Sequence, residues 1–156
     1  MIFLGVIAGI FLAEVGICSY VNSNWLQGRR KKILGGRISL HNCHNEAGLL
    51  GVFHKDKKLG ECLSVFVLSG IIWEFFHALF KKGQPLVKLG LSFIAGGGLG
   101  NCYERLAKGY VTDYISVEDG RPKAKRLVFN LADVWIAVGS LLFVIGRLAG
   151  LVHKKR

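Results

Sequence analysis

The sequence predicts an all-α membrane protein, a single domain of 156 residues with four transmembrane helices. Hydrophobic residues make up 51% of the chain and its mean hydropathy is +0.40, which is too apolar for an ordinary soluble domain. The apolar residues are concentrated in four stretches, each long enough to cross a hydrocarbon core of about 30 Å as a helix. Buried helices of a soluble protein are the alternative, but too little polar sequence remains to cover four of them.

The first apolar stretch could instead be a cleaved targeting segment. A signal peptide has a basic start and a small-residue cleavage site, whereas Met1–Ala13 contains no Lys or Arg. We therefore expect a retained first helix, which also holds Glu14. The four helices are predicted at roughly residues 2–21, 61–80, 86–105 and 128–152.

Four helices place both termini on one side of the membrane and two long loops on the other, at residues 22–60 and 106–126. The first of these loops is predicted to be partly structured. Residues 24–34 predict an interfacial amphipathic helix with Arg29–Lys32 facing headgroups, and residues 35–53 predict short strands. The lipid-facing side chains of that helix would be Trp25, Leu26, Ile33 and Leu34.

The chain is strongly basic, with 21 Lys and Arg against 10 Asp and Glu and a net charge of +11. These basic residues lie in loops beside apolar helices, so membrane lipids with anionic headgroups are the predicted partners and nucleic acid is not. Most of them lie in the two long loops. By the positive-inside rule, that count alone would place the long loops in the cytoplasm.

The cysteines predict neither a metal site nor a disulfide framework. They lie far apart and form no C-x-x-C pair, so small apolar packing is the favoured role. We expect no metal and no cofactor. The four cysteines are Cys18, Cys43, Cys62 and Cys102.

Polar residues interrupt the carboxyl end of the third predicted helix. Gly98, Asn101 and Arg105 are spaced by three and four residues, so they share one helical face. Asp113 follows after Gly109, which can turn the chain. The third helix therefore brings a polar stripe and a nearby aspartate to one membrane face.

The fourth predicted helix opens with polar residues at the same face. Asn130 and Asp133 are three residues apart and share its first turns. Asp133 could simply cap the helix start, Asp113 could be a loop carboxylate, and Arg105 could reach up to lipid headgroups. Ionisable groups at membrane depth usually face a bundle interior and have a function, and the combination favours a functional site.

These residues resemble the lipoprotein signal peptidases (signal peptidase II), four-helix bacterial membrane aspartyl proteases. The family's third-helix motif has Gly-Gly, Gly-Asn, Asp-Arg and Gly-x-Val-x-Asp-Phe elements, and its fourth-helix motif is Phe-Asn-x-Ala-Asp. A weaker element, Asn-x-Gly-Ala-Ala-Phe-Gly, is partly matched by residues 45–51. The two motifs appear here as Gly96-Gly97, Gly100-Asn101, Glu104-Arg105, Gly109-Tyr110-Val111-Thr112-Asp113-Tyr114 and Phe129-Asn130-Leu131-Ala132-Asp133.

The resemblance implies an aspartic endopeptidase that acts alone as a monomer. Its substrates would be signal peptides of prolipoproteins carrying a diacylglyceryl group on the lipobox cysteine, cleaved just before that cysteine. Asp113 and Asp133 would be the catalytic dyad. The resemblance also implies location in the bacterial cytoplasmic membrane with cytoplasmic termini, against the charge count. The substrate-binding and supporting residues would be Asn45, Gly48, Asn101, Arg105 and Asn130.

The chain departs from the family at three places. Glu104 stands where Asp is usual, and Tyr114 stands where Phe is usual. The first helix lacks the family's Asp-Gln and following Lys, and Glu14 is its only acidic candidate, with a structural or a functional contact both open. An inactive relative or a small membrane binding or transport protein is the alternative. A transporter would place its polar groups near mid-membrane and often show repeats.

Overall fold

Four long helices and a four-stranded antiparallel sheet make up the computed structural model, which describes residues 1–25, 29–46, 57–118 and 127–154, with side chains to residue 151. The strands are ordered β1-β2-β3-β4 across the sheet. In chain order the elements are α1 (Ile2–Asn24), β1 (Arg30–Ile33), a 3-10 turn (Leu34–Gly36), β2 (Ile38–Asn45), α2 (Lys57–Leu79), α3 (Pro85–Lys108), β3 (Val111–Val117), β4 (Val128–Phe129) and α4 (Leu131–Lys154).

Three of the described helices are long and apolar enough to cross a membrane: Ile2–Asn24, Lys57–Leu79 and Leu131–Leu151. The fourth predicted span, α3, is equally long but contains the polar residues of the candidate site and several glycines. α3 is less apolar than the other helices because it lies between them and packs against all three. A helix surrounded by protein has less need of apolar side chains than one that faces lipid.

Three consecutive glycines let the other helices approach α3 on different sides. Successive residues of a helix are rotated by about 100°, so each glycine faces a different neighbour. A Cβ at Gly96 would lie 2.8 Å from Ile10 of α1, and one at Gly97 would lie 2.6 Å from the backbone oxygen of Ala132 in α4. A Cβ at Gly98 would lie 3.1 Å from Leu68 of α2. The glycine triplet therefore sets the spacing of the whole bundle.

An interfacial helix is predicted over residues 24–34, but residues 30–33 form a β-strand, so that prediction was wrong. Arg30–Ile33 forms β1 and pairs antiparallel with β2, with Arg30 opposite His41 and Ile33 opposite Ile38. The reversal between these strands uses Leu34, Gly35 and Gly36, all with positive φ. A helix cannot continue through such a turn, and pairing satisfies the backbone of the basic segment instead. Leu26, predicted to face lipid, lies outside the described residues.

Short strands after residue 35 were predicted, and β2 confirms them; β3 and β4 were not predicted. Val128 and Phe129, assigned to the start of the fourth helix, instead pair with Ser116 and Ile115 of β3. The fourth helix therefore begins at Leu131. The two-residue β4 depends on its partner strand, and the local sign that the helix starts later is Asn130, three residues before Asp133, in the pattern of a helix cap.

The chain turns from α3 into the sheet at Gly109. Its φ is +77°, a conformation that suits glycine, and its N–H donates to the Arg105 carbonyl at 2.9 Å. β3 begins two residues later, and it pairs with β2 with Asp113 opposite Cys43. This cap places Asp113 inside a sheet, directly beside the end of α3.

Candidate active site

Asp113 is held inside the sheet, with only 4% of its surface exposed. Its Oδ2 accepts a hydrogen bond from Asn45 Nδ2 at 2.9 Å, and its Oδ1 accepts one from Asn130 Nδ2 at 3.3 Å. Burial raises the pKa of Asp113 to about 7; the Asn45 hydrogen bond opposes this, and the nearby Asp133 carboxylate adds to it. Asp113 can therefore carry a proton near neutral pH.

Asp133 is fixed by a reciprocal cap at the start of α4. Asn130 precedes the helix, and its Oδ1 accepts the backbone N–H of Asp133 at 3.0 Å. In return, Asp133 Oδ2 accepts the backbone N–H of Asn130 at 3.2 Å. This is the geometry of a capping box, with Asn and Asp in place of the usual Ser and Glu. The cap orients the carboxylate, so capping and a site role are compatible.

Two asparagines join the aspartates through a continuous chain of hydrogen bonds. Asn101 of α3 donates from Nδ2 to Asp133 Oδ1 at 2.9 Å. Asn130, which is fully buried, donates from Nδ2 to Asn101 Oδ1 at 2.9 Å as well as to Asp113. Asn130 thus contacts both aspartates, one through its side chain and the other through its backbone and side chain. The structure brings five of the seven predicted site residues into one cluster: Asn45, Asn101, Asp113, Asn130 and Asp133.

The other two predicted site residues lie outside this cluster of hydrogen bonds. Arg105 donates to Ser64 Oγ of α2 at 2.7 Å, which ties α3 to α2. Its positive charge opposes the rise in the pKa of Asp113 that burial causes. Gly48 falls in a segment outside the described residues.

Glu104 is a supporting residue that the sequence did not reveal. It is buried, and its carboxylate accepts the Thr112 N–H at 2.7 Å, the Thr112 hydroxyl at 3.0 Å and the Lys108 ammonium at 2.5 Å. Thr112 directly precedes Asp113, so Glu104 fixes the start of β3 against α3. The sequence signal was its place in the family's Asp-Arg motif element; the eight-residue separation from Thr112 matches no helical or strand spacing and gave no sign of this contact.

Tyr114 also contributes a contact that a phenylalanine could not. Its hydroxyl accepts the backbone N–H of Leu131 at 3.1 Å, at the first residue of α4. Helix starts leave several N–H groups without partners inside the helix, and this hydroxyl satisfies one of them. The tyrosine thereby links β3, which carries Asp113, to the helix that carries Asp133.

Glu14 lies against the same part of α3. It is 2% exposed, and a Cβ at Gly100 would lie 3.0 Å from the Glu14 Cβ. Gly100 directly precedes Asn101, so the only acidic residue of α1 is buried beside the candidate site. Among the residues that the structure describes, no group of three His, Cys, Asp or Glu side chains could hold a metal ion.

Two buried or half-buried aspartates, joined through shared asparagines at one end of a bundle of apolar helices, are the arrangement expected of a membrane-embedded aspartic peptidase. The family model described as signal peptidase (SPase) II matches residues 6–149. The chain therefore belongs to the signal peptidase II family.

Individual relatives agree with this assignment. The lipoprotein signal peptidase of Caldicellulosiruptor bescii is 34% identical over 112 residues, covering 70% of this chain and 67% of that protein. That of Streptococcus pneumoniae is 26% identical over 147 residues, covering 92% of each. A bacterial membrane enzyme solved by the in meso method at 2.3 Å shares the fold, with a TM-score of 0.79 and 16% identity over 97% of this chain and 90% of that one.

Proposed function

We propose that this protein is an aspartic endopeptidase that removes signal peptides from prolipoproteins, with Asp113 and Asp133 as its catalytic dyad. The observation that carries the proposal is the contact of one residue, Asn130, with both aspartates. Family membership supports the reaction class. An inactive relative is not favoured, because the asparagines that orient both carboxylates are all present and engaged.

The environments of the two aspartates suggest different roles. Asp113 is buried with its pKa raised to about 7, so it is the member that holds a proton and donates a hydrogen bond to the scissile carbonyl oxygen. Asp133 accepts an N–H hydrogen bond on each oxygen and acts as the base that takes a proton from the attacking water. As the tetrahedral intermediate collapses, a proton passes to the leaving amine and the shared-proton state is restored.

The substrate and the supporting residues follow from the same site. The scissile bond would precede a cysteine that carries a diacylglyceryl group, and a bundle with exposed apolar helices allows both lipid and signal helix to arrive from the bilayer. Asn45 and Asn101 would hold the carboxylates in place and contact the peptide backbone. Gly48 and Arg105 would complete the substrate-binding surface, Arg105 by fixing α2 against α3 and by its charge near Asp113.

The membrane arrangement that we propose has four spans and cytoplasmic termini in the bacterial cytoplasmic membrane. The α2–α3 turn around Lys81 lies at the opposite end of the bundle from the sheet, because Ser64 near the start of α2 contacts Arg105 near the end of α3. The α3 helix must therefore return across the same thickness as α2. We propose a monomer as the active form.

The proposed arrangement can be tested by labelling single cysteines in intact cells with an impermeant reagent. Lys32→Cys in β1 should be labelled and Lys81→Cys in the α2–α3 turn should be labelled only after permeabilisation. The unsubstituted chain gives the background from its own cysteines. Labelling with the reverse pattern would show that the charge count predicted the orientation correctly.

The proposed reaction is tested by replacing each aspartate with its isosteric amide. Asp113→Asn and Asp133→Asn should each abolish conversion of diacylglyceryl-modified prolipoprotein to its mature form in reconstituted membranes, because Asn can neither carry the charge nor exchange the proton. Glu61→Gln, the same chemical change in α2, should leave conversion unchanged. Substantial conversion by either Asn variant would exclude the dyad, and no conversion by the wild-type protein across several lipoproteins would favour an inactive relative.

A further inference from the structure

A crevice of about 430 Å³ is lined by residues from the end of α1 and from the start of β1, and none of them belongs to the candidate active site. Its volume is within the usual range for a small-molecule site. Its described lining combines aromatic, amide and basic residues, none of them acidic. The lining residues are Tyr20, Asn24, Trp25, Arg29, Arg30 and Lys31.

The crevice is on the opposite side of α1 from β3, the strand that carries Asp113. Asn22 faces β3, since its Nδ2 donates to Thr112 Oγ1 at 2.7 Å. Tyr20 and Asn24 are each two residues from Asn22, which rotates them by about 200° around the helix axis. A molecule in the crevice therefore does not occupy the position between Asp113 and Asp133.

The position along α1 indicates the depth of the crevice in a membrane. α1 is apolar along its length and ends at Asn24, and the first strand of the sheet begins at Arg30. Tyr20 in the last turn is 61% exposed, and Trp25 follows the helix directly. Tyrosine and tryptophan at the end of an apolar span are typical of the headgroup level of a bilayer.

The positively charged side chains that line the crevice indicate an anionic ligand. Arg29, Arg30 and Lys31 are consecutive, and all three are exposed. Arg30 lies 3.6 Å from Glu118, which offsets part of its charge. Arg29 and Lys31 add two further positive charges within reach of the same space. Arginine and lysine beside a membrane surface attract anionic lipid headgroups, and arginine also pairs with phosphate through two N–H groups.

We propose that this crevice binds the phosphodiester headgroup of one anionic phospholipid, with the acyl chains lying along the exposed face of α1. Leu12 and Tyr20 of α1 are both exposed, and Leu12 lies eight residues before Tyr20, about 12 Å further along the helix axis, so exposed apolar side chains continue along α1 away from the crevice. A soluble phosphate compound would use the charges but not these apolar side chains. The site is independent of the proposed peptidase reaction, because lipid binding requires neither aspartate.

Lipid retention in nanodiscs tests the proposal directly. The full chain is reconstituted in discs of mixed phosphatidylglycerol and phosphatidylcholine, and retained lipid is measured by native mass spectrometry. The wild-type protein should retain phosphatidylglycerol selectively. Arg29→Gln with Lys31→Gln should weaken that retention by roughly 30-fold, the effect of two basic residues at a membrane surface. Both substitutions are at exposed positions, and unchanged cleavage of prolipoprotein in neutral lipid would show that the variant is folded.

Lys81→Gln with Lys82→Gln is the matched control, because it removes the same charge at the other end of the bundle. Equal loss of phosphatidylglycerol in both double variants would overturn the proposal in favour of general surface charge. Inorganic phosphate at millimolar concentration should not displace the lipid. Displacement by phosphate would show a site for a free anion and would also overturn the assignment.

Discussion

Gly97→Ala should disrupt the candidate site through the spacing of α3 and α4. The added Cβ would lie 2.6 Å from the backbone oxygen of Ala132 and 3.1 Å from Ile136 Cγ1. An ordinary contact begins near 3.4 Å, so the helices must separate by about 0.8 Å at this point. Asn101 is one turn further along α3, and its 2.9 Å hydrogen bond to Asp133 would lengthen beyond a normal hydrogen bond.

The expected loss of activity follows from that displacement. A misplacement of about 1 Å in a catalytic group can lower the rate by about 100-fold, so we expect kcat for prolipoprotein cleavage to fall by roughly 10- to 100-fold. Overpacking costs about 1 to 3 kcal/mol of folding free energy, offset by up to about 1 kcal/mol of helix propensity. The variant should therefore fold but melt at a lower temperature in detergent.

Gly16→Ala is the matched control for Gly97→Ala. Gly16 lies in α1, and a Cβ there would meet nothing within 4 Å, so this variant should keep its activity and its melting temperature or raise the latter slightly. Wild-type kcat in Gly97→Ala would refute the reasoning. It would mean that the separation of α3 and α4 does not determine the position of Asp133.

Three further predictions concern contacts around the aspartates. Glu104→Gln should lower kcat by about 10-fold in the cleavage assay, because it weakens the hydrogen bonds that hold Thr112. Glu104→Asp introduces the residue usual in the family and should keep most of the activity. Equal losses of kcat in the two variants would contradict this prediction. Tyr114→Phe should lower the free energy of unfolding by about 0.5 to 1.5 kcal/mol, measured by denaturant titration, because the start of α4 loses a hydrogen-bond acceptor; no loss would contradict it. The kcat/KM of the wild-type protein should fall as pH rises through about 7, where Asp113 loses its proton. Asn45→Ala should shift this fall to higher pH, because it removes a hydrogen bond that lowers the pKa of Asp113. An unchanged pH profile of kcat/KM in Asn45→Ala would contradict the role of Asp113 as the protonated aspartate.

The sequence predicts the helical part of the fold well because its signal is local. A run of apolar residues must be helical in lipid, where every backbone group needs a partner within the segment. The third helix was also predicted, at roughly residues 86–105, and α3 is Pro85–Lys108. Its glycines and polar residues make it less apolar than the other three helices, because it contacts three neighbouring helices. The local signal fails for the sheet, because Arg30–Ile33 and Val128–Phe129 become strands through partners that are distant in sequence.

Most residues of the candidate site could be predicted from the sequence, but not all of their contacts. Asp113, Asn101, Asn130 and Asp133 were identified from helix spacing and from motifs, and the structure brings them together. The sequence shows Glu104 only as a departure from the family's usual Asp. Its contact with Thr112 exists because Gly109 reverses the chain and returns β3 alongside the end of α3, and that geometry is not visible in residue spacing.

The single measurement that tests the dyad most directly is the residual rate of the double variant Asp113→Asn/Asp133→Asn. Residues that act as one unit are strongly non-additive, so the double variant should cleave lipidated prolipoprotein at the same residual rate as either single variant in long single-turnover incubations. A double variant much slower than both single variants, with their losses multiplying, would show that the two carboxylates act independently and would contradict the shared-proton dyad.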